Sequence, residues 1–131
     1  VPVACALVAF APARLRIQEF AMVVVIFRAR LRPDADTTAL ERAGVRMVEL
    51  ASQMPGFVPY KDFSAADGEA LTLVEFQDEP TLLAWRNHPE HLQVQEMARR
   101  DHFSEYRIQV CRPTREYAFD RQRGRRDIAA S

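Results

Sequence analysis

Lysine is almost missing from this chain: Lys61 stands alone against seventeen arginines. The skew reads as codon preference in a GC-rich genome and is given no functional meaning. Cysteine is nearly as scarce. Cys5 and Cys111 are the only two, too far apart to match a metal-binding spacing. Three histidines with no clustered thiols or carboxylates beside them make no zinc pattern either, so no metal site is expected. Cys111 falls in an apolar run and is expected to be a buried thiol, and the low cysteine usage suits a reducing cytoplasm. Formal net charge is zero, so no overall field recruits nucleic acid or an anionic membrane. Walker, nucleophile-elbow and Gly-rich phosphate-loop motifs are missing. The apolar run at Val1–Phe10 is far short of the ~20 residues that cross a bilayer. No basic residue precedes it, so an export signal is the lesser reading. The functional domain is expected to begin near Met22, with residues 1–21 as an extension.

What remains is an ordinary globular composition, 48% hydrophobic and 27% charged over 131 residues, enough for one domain. Residues 23–31 (VVVIFRARL) are β-branched and aromatic and read as a strand, with Val23, Val25, Phe27, Ala29 and Leu31 on one face. A helix follows, with Asp36 as N-cap and a capping box at Thr38 and Glu41. Its apolar stripe runs through Leu40, Ala43, Met47, Leu50, Ala51 and Met54 and stops at Pro55-Gly56. Residues 57–64 read as a second strand near a sheet edge, because Pro59 cannot donate to a ladder. Asp67-Gly68 is a hairpin turn. Residues 69–77 form the return strand, with Thr72, Val74 and Phe76 on one face.

Residues 79–86 then form a short helix, broken before Pro89, and a further helix runs from Pro89 to about Ala98. A last strand covers 103–111, with Tyr106, Ile108 and Val110 on one face. The tail from 120 to 131 is basic and polar and is expected to be disordered. The order βαββαβ, with its second helix split, predicts an α+β, ferredoxin-like domain with an antiparallel sheet. Helices on one face leave the other apolar and bare, and a second copy of the chain is the economical cover.

The break between the two short helices is the chemically richest stretch. It places the only tryptophan, Trp85, beside His88 and His91. The wider pattern DGExLTLVEFxxExxLxAWRNHPEHLxxQ, followed by EYRIQVC and the aromatic pair Tyr117 and Phe119, resembles the antibiotic biosynthesis monooxygenase (ABM) domain family. The similarity covers residues 22–119. It implies a dimeric α/β barrel and, as one activity within a varied family, oxidation of an electron-rich aromatic or quinol-like molecule by dioxygen without a bound cofactor. Members that oxidise anthrones carry an Asn, a Trp and a Tyr where this chain has Thr72, Phe76 and Leu82. Members that degrade haem carry a ligating His where this chain has Gln95, with His91 one helical turn away. Neither mechanism transfers intact.

On this reading Trp85 is a flat wall for an aromatic substrate, and equally a tryptophan filling the core. His91 is the candidate base, and equally a histidine that caps the break. Arg86 and Tyr106 are candidates for steadying a developing anion, against an exposed arginine and a core tyrosine. His88, Phe76 and Thr72 complete the expected substrate pocket, with His88 more simply structural. Asn87 is expected to satisfy carbonyls at the helix end, and His102 to lie at the surface. The competing reading, from another class, is a small-ligand-binding or stress-related module that keeps the pocket without the chemistry.

Overall fold

The computed structural model describes residues 22–58 and 60–130. The expected extension at residues 1–21, and Pro59, lie outside the described residues. The elements are β1 (Val23–Leu31), α1 (Thr37–Ser52), β2 (Lys61–Ser64), β3 (Ala70–Phe76), α2 (Glu79–Arg86), α3 (Pro89–Asp101), β4 (Phe103–Cys111), β5 (Arg115–Asp120) and β6 (Gly124–Ala130). The first four strands form one antiparallel sheet in the order β2-β3-β1-β4. This is the ferredoxin-like α+β arrangement expected, with β2 on an edge and β1 central.

Register decides which side chains share a face. Val23 pairs with Phe76, Val25 with Val74, and Phe27 with Thr72. On its other side, β1 sets Val25 against Val110, Phe27 against Ile108 and Ala29 against Tyr106. Alternation along each strand sends all of these to one face. That face carries the core, where Val23, Val25, Phe76 and Leu82 cluster and Val74 and Trp85 pack against them. Leu82 and Trp85 come from α2, so this is the helix-covered face. Coverage thins toward β4, where Ile108 and Val110 are each more than half exposed.

The opposite face has no helix on it. Ile26, Phe63, Ala65 and Leu71 line an open cleft of about 500 Å³ there, rimmed by Arg28 and Glu69. Arg28 is paired with Glu69 and Arg30 with Asp67, a bond of 2.7 Å. These pairs tie β1 to the β2–β3 turn, and the guanidinium groups hold both carboxyls below the ordinary carboxylate range. Arg46 makes two 3.1 Å bonds to Glu90, joining α1 to the first turn of α3.

Several expectations need correction. The helix start at Asp36 is right, but its side chain accepts from the Ala39 backbone N–H, so Thr38 and Glu41 form no capping box. The second strand is shorter than 57–64, because Gly56 turns the chain with φ 78° and Phe57 makes only an isolated bridge to Phe76. Where a disordered tail was expected from 120, β5 and β6 form an antiparallel hairpin that runs to Ala130. Its turn is organised by Asp120, which accepts from the backbone N–H groups of Gln122 and Arg123 and from the Arg126 guanidinium. The same carboxylate pairs with Arg123 and Arg126, two of the arginines that argued for disorder. Cys111 is half-buried.

His102 is the largest miss: it is 3% exposed. Its backbone N–H caps α3 through the Ala98 carbonyl, and its own carbonyl accepts from Arg32 N–H at 2.7 Å. Its backbone thus joins the end of α3 to the segment that follows β1. Its Nδ1 has no partner among the described residues.

Candidate functional site

The site is built around the break between α2 and α3. Asp78, 6% exposed, is the N-cap of α2 and accepts from the Thr81 N–H at 2.9 Å, while the Thr81 hydroxyl reaches back to the Asp78 N–H. This reciprocal cap fixes where α2 begins, and Trp85 follows one turn after Thr81. At the far end the Asn87 N–H donates to the Leu83 carbonyl at 3.0 Å and the His88 N–H to that of Trp85 at 3.1 Å. Asn87 thus satisfies a carbonyl at the helix end, as expected, and does so through its backbone N–H. His88, extended at φ -60° and ψ 129°, begins α3 as its N-cap, with Nδ1 accepting from the Glu90 N–H at 3.2 Å. Pro89 at the first helical position cannot donate a backbone hydrogen bond, so the chain must restart rather than continue.

This turn folds His91 back over Trp85. Their ring centroids are 4.3 Å apart with planes 16° from parallel, and the His88 ring stands 5.9 Å from the indole, tilted by 42°. His91 Nδ1 lies 3.1 Å from the Trp85 carbonyl oxygen. A carbonyl oxygen only accepts, so Nδ1 carries the proton and Nε2 keeps its lone pair. The Gln95 amide lies beside the ring, 3.1 Å from Nδ1 and 3.5 Å from Nε2. Burial holds the His91 imidazole below the ordinary histidine range. The bond to Trp85 opposes this shift in part, and the charge of His88 adds to it. At neutral pH the ring is therefore an uncharged base stacked on an aromatic wall.

Of the predicted site residues, the structure brings together Trp85, His88 and His91, with Phe76 beneath them in the core cluster against which Trp85 packs. Arg86 is exposed on the next position of α2. Tyr106 belongs to a different cluster, with Phe27 at 5.6 Å and Phe103 at 5.9 Å between ring centroids. Its hydroxyl lies 3.4 Å from the Arg99 guanidinium, and Arg99 is eight residues, or about 12 Å of helix, beyond His91. Thr72 donates to Asp62 Oδ1 at 2.6 Å.

Asp78, Glu90 and Asp62 were not singled out from the sequence. The Asp78-Glu-Pro-Thr81 spacing is a legible N-cap signal. Pairing of Glu90 with Arg46, and of Asp62 with Thr72, depends on tertiary register and leaves no such trace. Among the described residues no group of three His, Cys, Asp or Glu side chains is placed to hold a metal ion. No described helix is long and apolar enough to cross a membrane.

Comparison with known proteins agrees with this fold. The family model described as antibiotic biosynthesis monooxygenase matches residues 22–97. The uncharacterized protein YqjZ of Bacillus subtilis is 32% identical over 95 residues, which is 72% of this chain and 82% of YqjZ. Among solved structures, Rv0793 of Mycobacterium tuberculosis superposes with a TM-score of 0.62 at 24% identity, over 71% of this chain and 95% of that one. SnoaB, a cofactor-independent oxygenase of Streptomyces nogalater, gives 0.57 at 18% identity, over 72% and 96%. At these identities the two structures speak for the fold alone. Matched by the family model over more than half its length, and 32% identical to a relative over most of both chains, this chain belongs to the antibiotic biosynthesis monooxygenase family.

Proposed function

We propose that this protein is a small monooxygenase that oxidises an electron-rich aromatic or quinol-like molecule with dioxygen, using no tightly bound cofactor. The observation that carries the reading is the Trp85–His91 stack, with an uncharged imidazole whose Nε2 keeps its lone pair, the Gln95 amide lying 3.5 Å from it. A planar substrate binds beside the Trp85–His91 stack and gives its phenolic proton to His91. The resulting anion has carbanion character at the carbon para to oxygen. That carbon attacks dioxygen, and the peroxide takes up a proton. Loss of water then breaks the O–O bond and removes the C–H proton from the same carbon. One oxygen atom stays in the quinone and the other leaves as water, so the substrate supplies all the electrons. A dry apolar wall strengthens each polar contact made during the transfer. Arg86 and Tyr106 are retained as candidate anion donors only if substrate binding draws them toward the stack. Oxygen uptake with a panel of hydroquinones, naphthols and anthrones tests the reading, and no uptake with any of them contradicts it.

The same observation supports a second reading. His91 Nδ1 is used to cap the helix break, which is reason enough for a histidine in a non-catalytic ligand-binding module. Binding without oxygen uptake selects that alternative. Haem degradation is a weaker third reading, because Gln95 stands at the ligand position; a haem titration without a Soret shift closes it. A homodimer is part of the proposal, resting on the helix-free sheet face and its apolar cleft. A monomer by light scattering at micromolar concentration contradicts it.

A further inference from the structure

Charge on the helix-free sheet face does not balance within one chain. Alternation places Val24, Ile26, Arg28 and Arg30 of β1 on that face, together with their cross-strand partners. At one end Glu69 pairs with Arg28 and lies 3.5 Å from Arg30, which also holds Asp67 at 2.7 Å and Glu105 at 3.2 Å. Arg107 sits directly opposite Arg28 across β1–β4, where like charges repel. It is exposed and has no carboxylate partner among the described residues.

The opposite imbalance lies at the other end of the face. Glu75 pairs across β3–β1 with Val24, so its side chain projects to the same side. It is half-buried, and it has no cation beside it among the described residues. Lys61, on β2 opposite Leu73, instead lies over the Phe63 ring, its ammonium 5.8 Å from the centroid. A carboxylate partly withdrawn from water is costly to keep unpaired.

Arg107 and Glu75 cannot meet within the chain. In register they are two strands and four residues apart, roughly 16 Å. Ile26 lies midway, paired with Leu73 on one side and Gln109 on the other. It also lines the apolar cleft with Phe63 and Leu71. In a symmetric pair of copies every contact occurs twice, with the two residues exchanged. A two-fold axis that passes over Ile26, across the line from Arg107 to Glu75, brings each Arg107 onto the other copy's Glu75. The same axis lays the two apolar clefts together.

We propose that the helix-free face binds a second copy of this chain, with Arg107 of each protomer paired to the partner's Glu75 and Ile26 at the centre of the seam. The inference rests on the homodimer reading above and adds what fixes the orientation of the two copies. Charge complementarity carries it, because an unmatched cation and an unmatched anion lie on either side of the apolar centre.

Sedimentation equilibrium of the full chain and its variants at physiological ionic strength tests this. Arg107→Glu and Glu75→Arg each set like charges against one another at both contacts. Each should raise the dimer dissociation constant about tenfold or more. The double variant reverses both pairs without changing the net charge and should dimerise nearly as tightly as the parent. An equimolar mixture of the two single variants should also dimerise, because every contact in the mixed pair again joins opposite charges. Far-UV spectra matching the parent's exclude a folding defect, and recovery in the mixture excludes it independently. Single variants that dimerise as tightly as the parent overturn the pairing and leave the homodimer standing. So does failure of either the double variant or the mixture to recover. A monomeric parent overturns both.

Discussion

Trp85 and His91 are six residues apart, yet their rings stack at 4.3 Å because the chain breaks between them and starts again at Pro89. The contact is closed by the His91 Nδ1 bond to the carbonyl of Trp85 itself. One break thus sets both the wall and the base, and fixes the tautomer of the base.

That arrangement predicts an acid limb of unusual position. Burial lowers the His91 pKa, so kcat/KM on a competent phenol should hold its plateau down through the ordinary histidine value of about 6.5 and fall only below it. His91→Ala should lower turnover by about 10²–10⁴-fold and abolish that limb. The same shift bears on stability. Between the folded and unfolded pKa values the unfolded chain binds more protons. The His91 contribution is therefore intact above about 6.5 and is lost as pH falls through the lower folded value. Urea midpoints for wild type and His91→Ala across that window should converge at acid pH.

Trp85 is half-buried against Val23, Val25, Phe76 and Leu82. Trp85→Ala should cost about 2–4 kcal/mol, near the lower end for a large aromatic truncation because the ring is only partly enclosed. Trp85→Phe should recover most of this and keep a stacking partner for His91. Urea denaturation followed by circular dichroism measures both.

The start of α2 should be as sensitive as its end. Asp78→Ala removes the reciprocal cap and should cost about 1–2 kcal/mol. Gly56, at φ 78°, sits so close to Thr81 that an added Cβ would meet the Thr81 methyl at 2.9 Å. Gly56→Ala therefore brings both backbone strain and a clash, and should cost about 1–3 kcal/mol. Because Gly56 presses on the same cap, the double variant should be less destabilised than the sum of the two single changes.

The bare sheet face predicts assembly. Ile26→Glu places a charge in the apolar cleft beside Phe63 and Leu71, where a second copy would have to bury it unpaired. The variant should run as a monomer in light scattering while the parent runs as a dimer, with the far-UV spectra alike.

Alternation and punctuation in the sequence were sufficient for most of the fold. The β-branched run at 23–31 and the Asp67-Gly68 turn placed β1 and the β2–β3 hairpin, and Pro89 placed the split between α2 and α3. What was not legible depends on distant partners. His102 looks like a polar surface residue in the sequence, and its burial appears only in the folded chain, where its backbone bonds Arg32 and Ala98. Charge at Arg123 and Arg126 suggested a disordered tail because Asp120 becomes their shared partner only once the turn has formed. Tyr106 was grouped with the site by its position on β4, but its ring is held by Phe27 and Phe103 at the other end of α3 from the break. Trp85 and His91 could be singled out beside the break at Pro89, because the geometry that joins them is local.

Oxygen transfer is the central claim, and isotopic labelling tests it most directly. Turnover of a naphthol or anthrone under ¹⁸O₂ should place one labelled oxygen in the quinone and the other in water, with His91→Ala giving little product. Quinone formed with unlabelled oxygen, or formed equally fast by His91→Ala, would contradict the account.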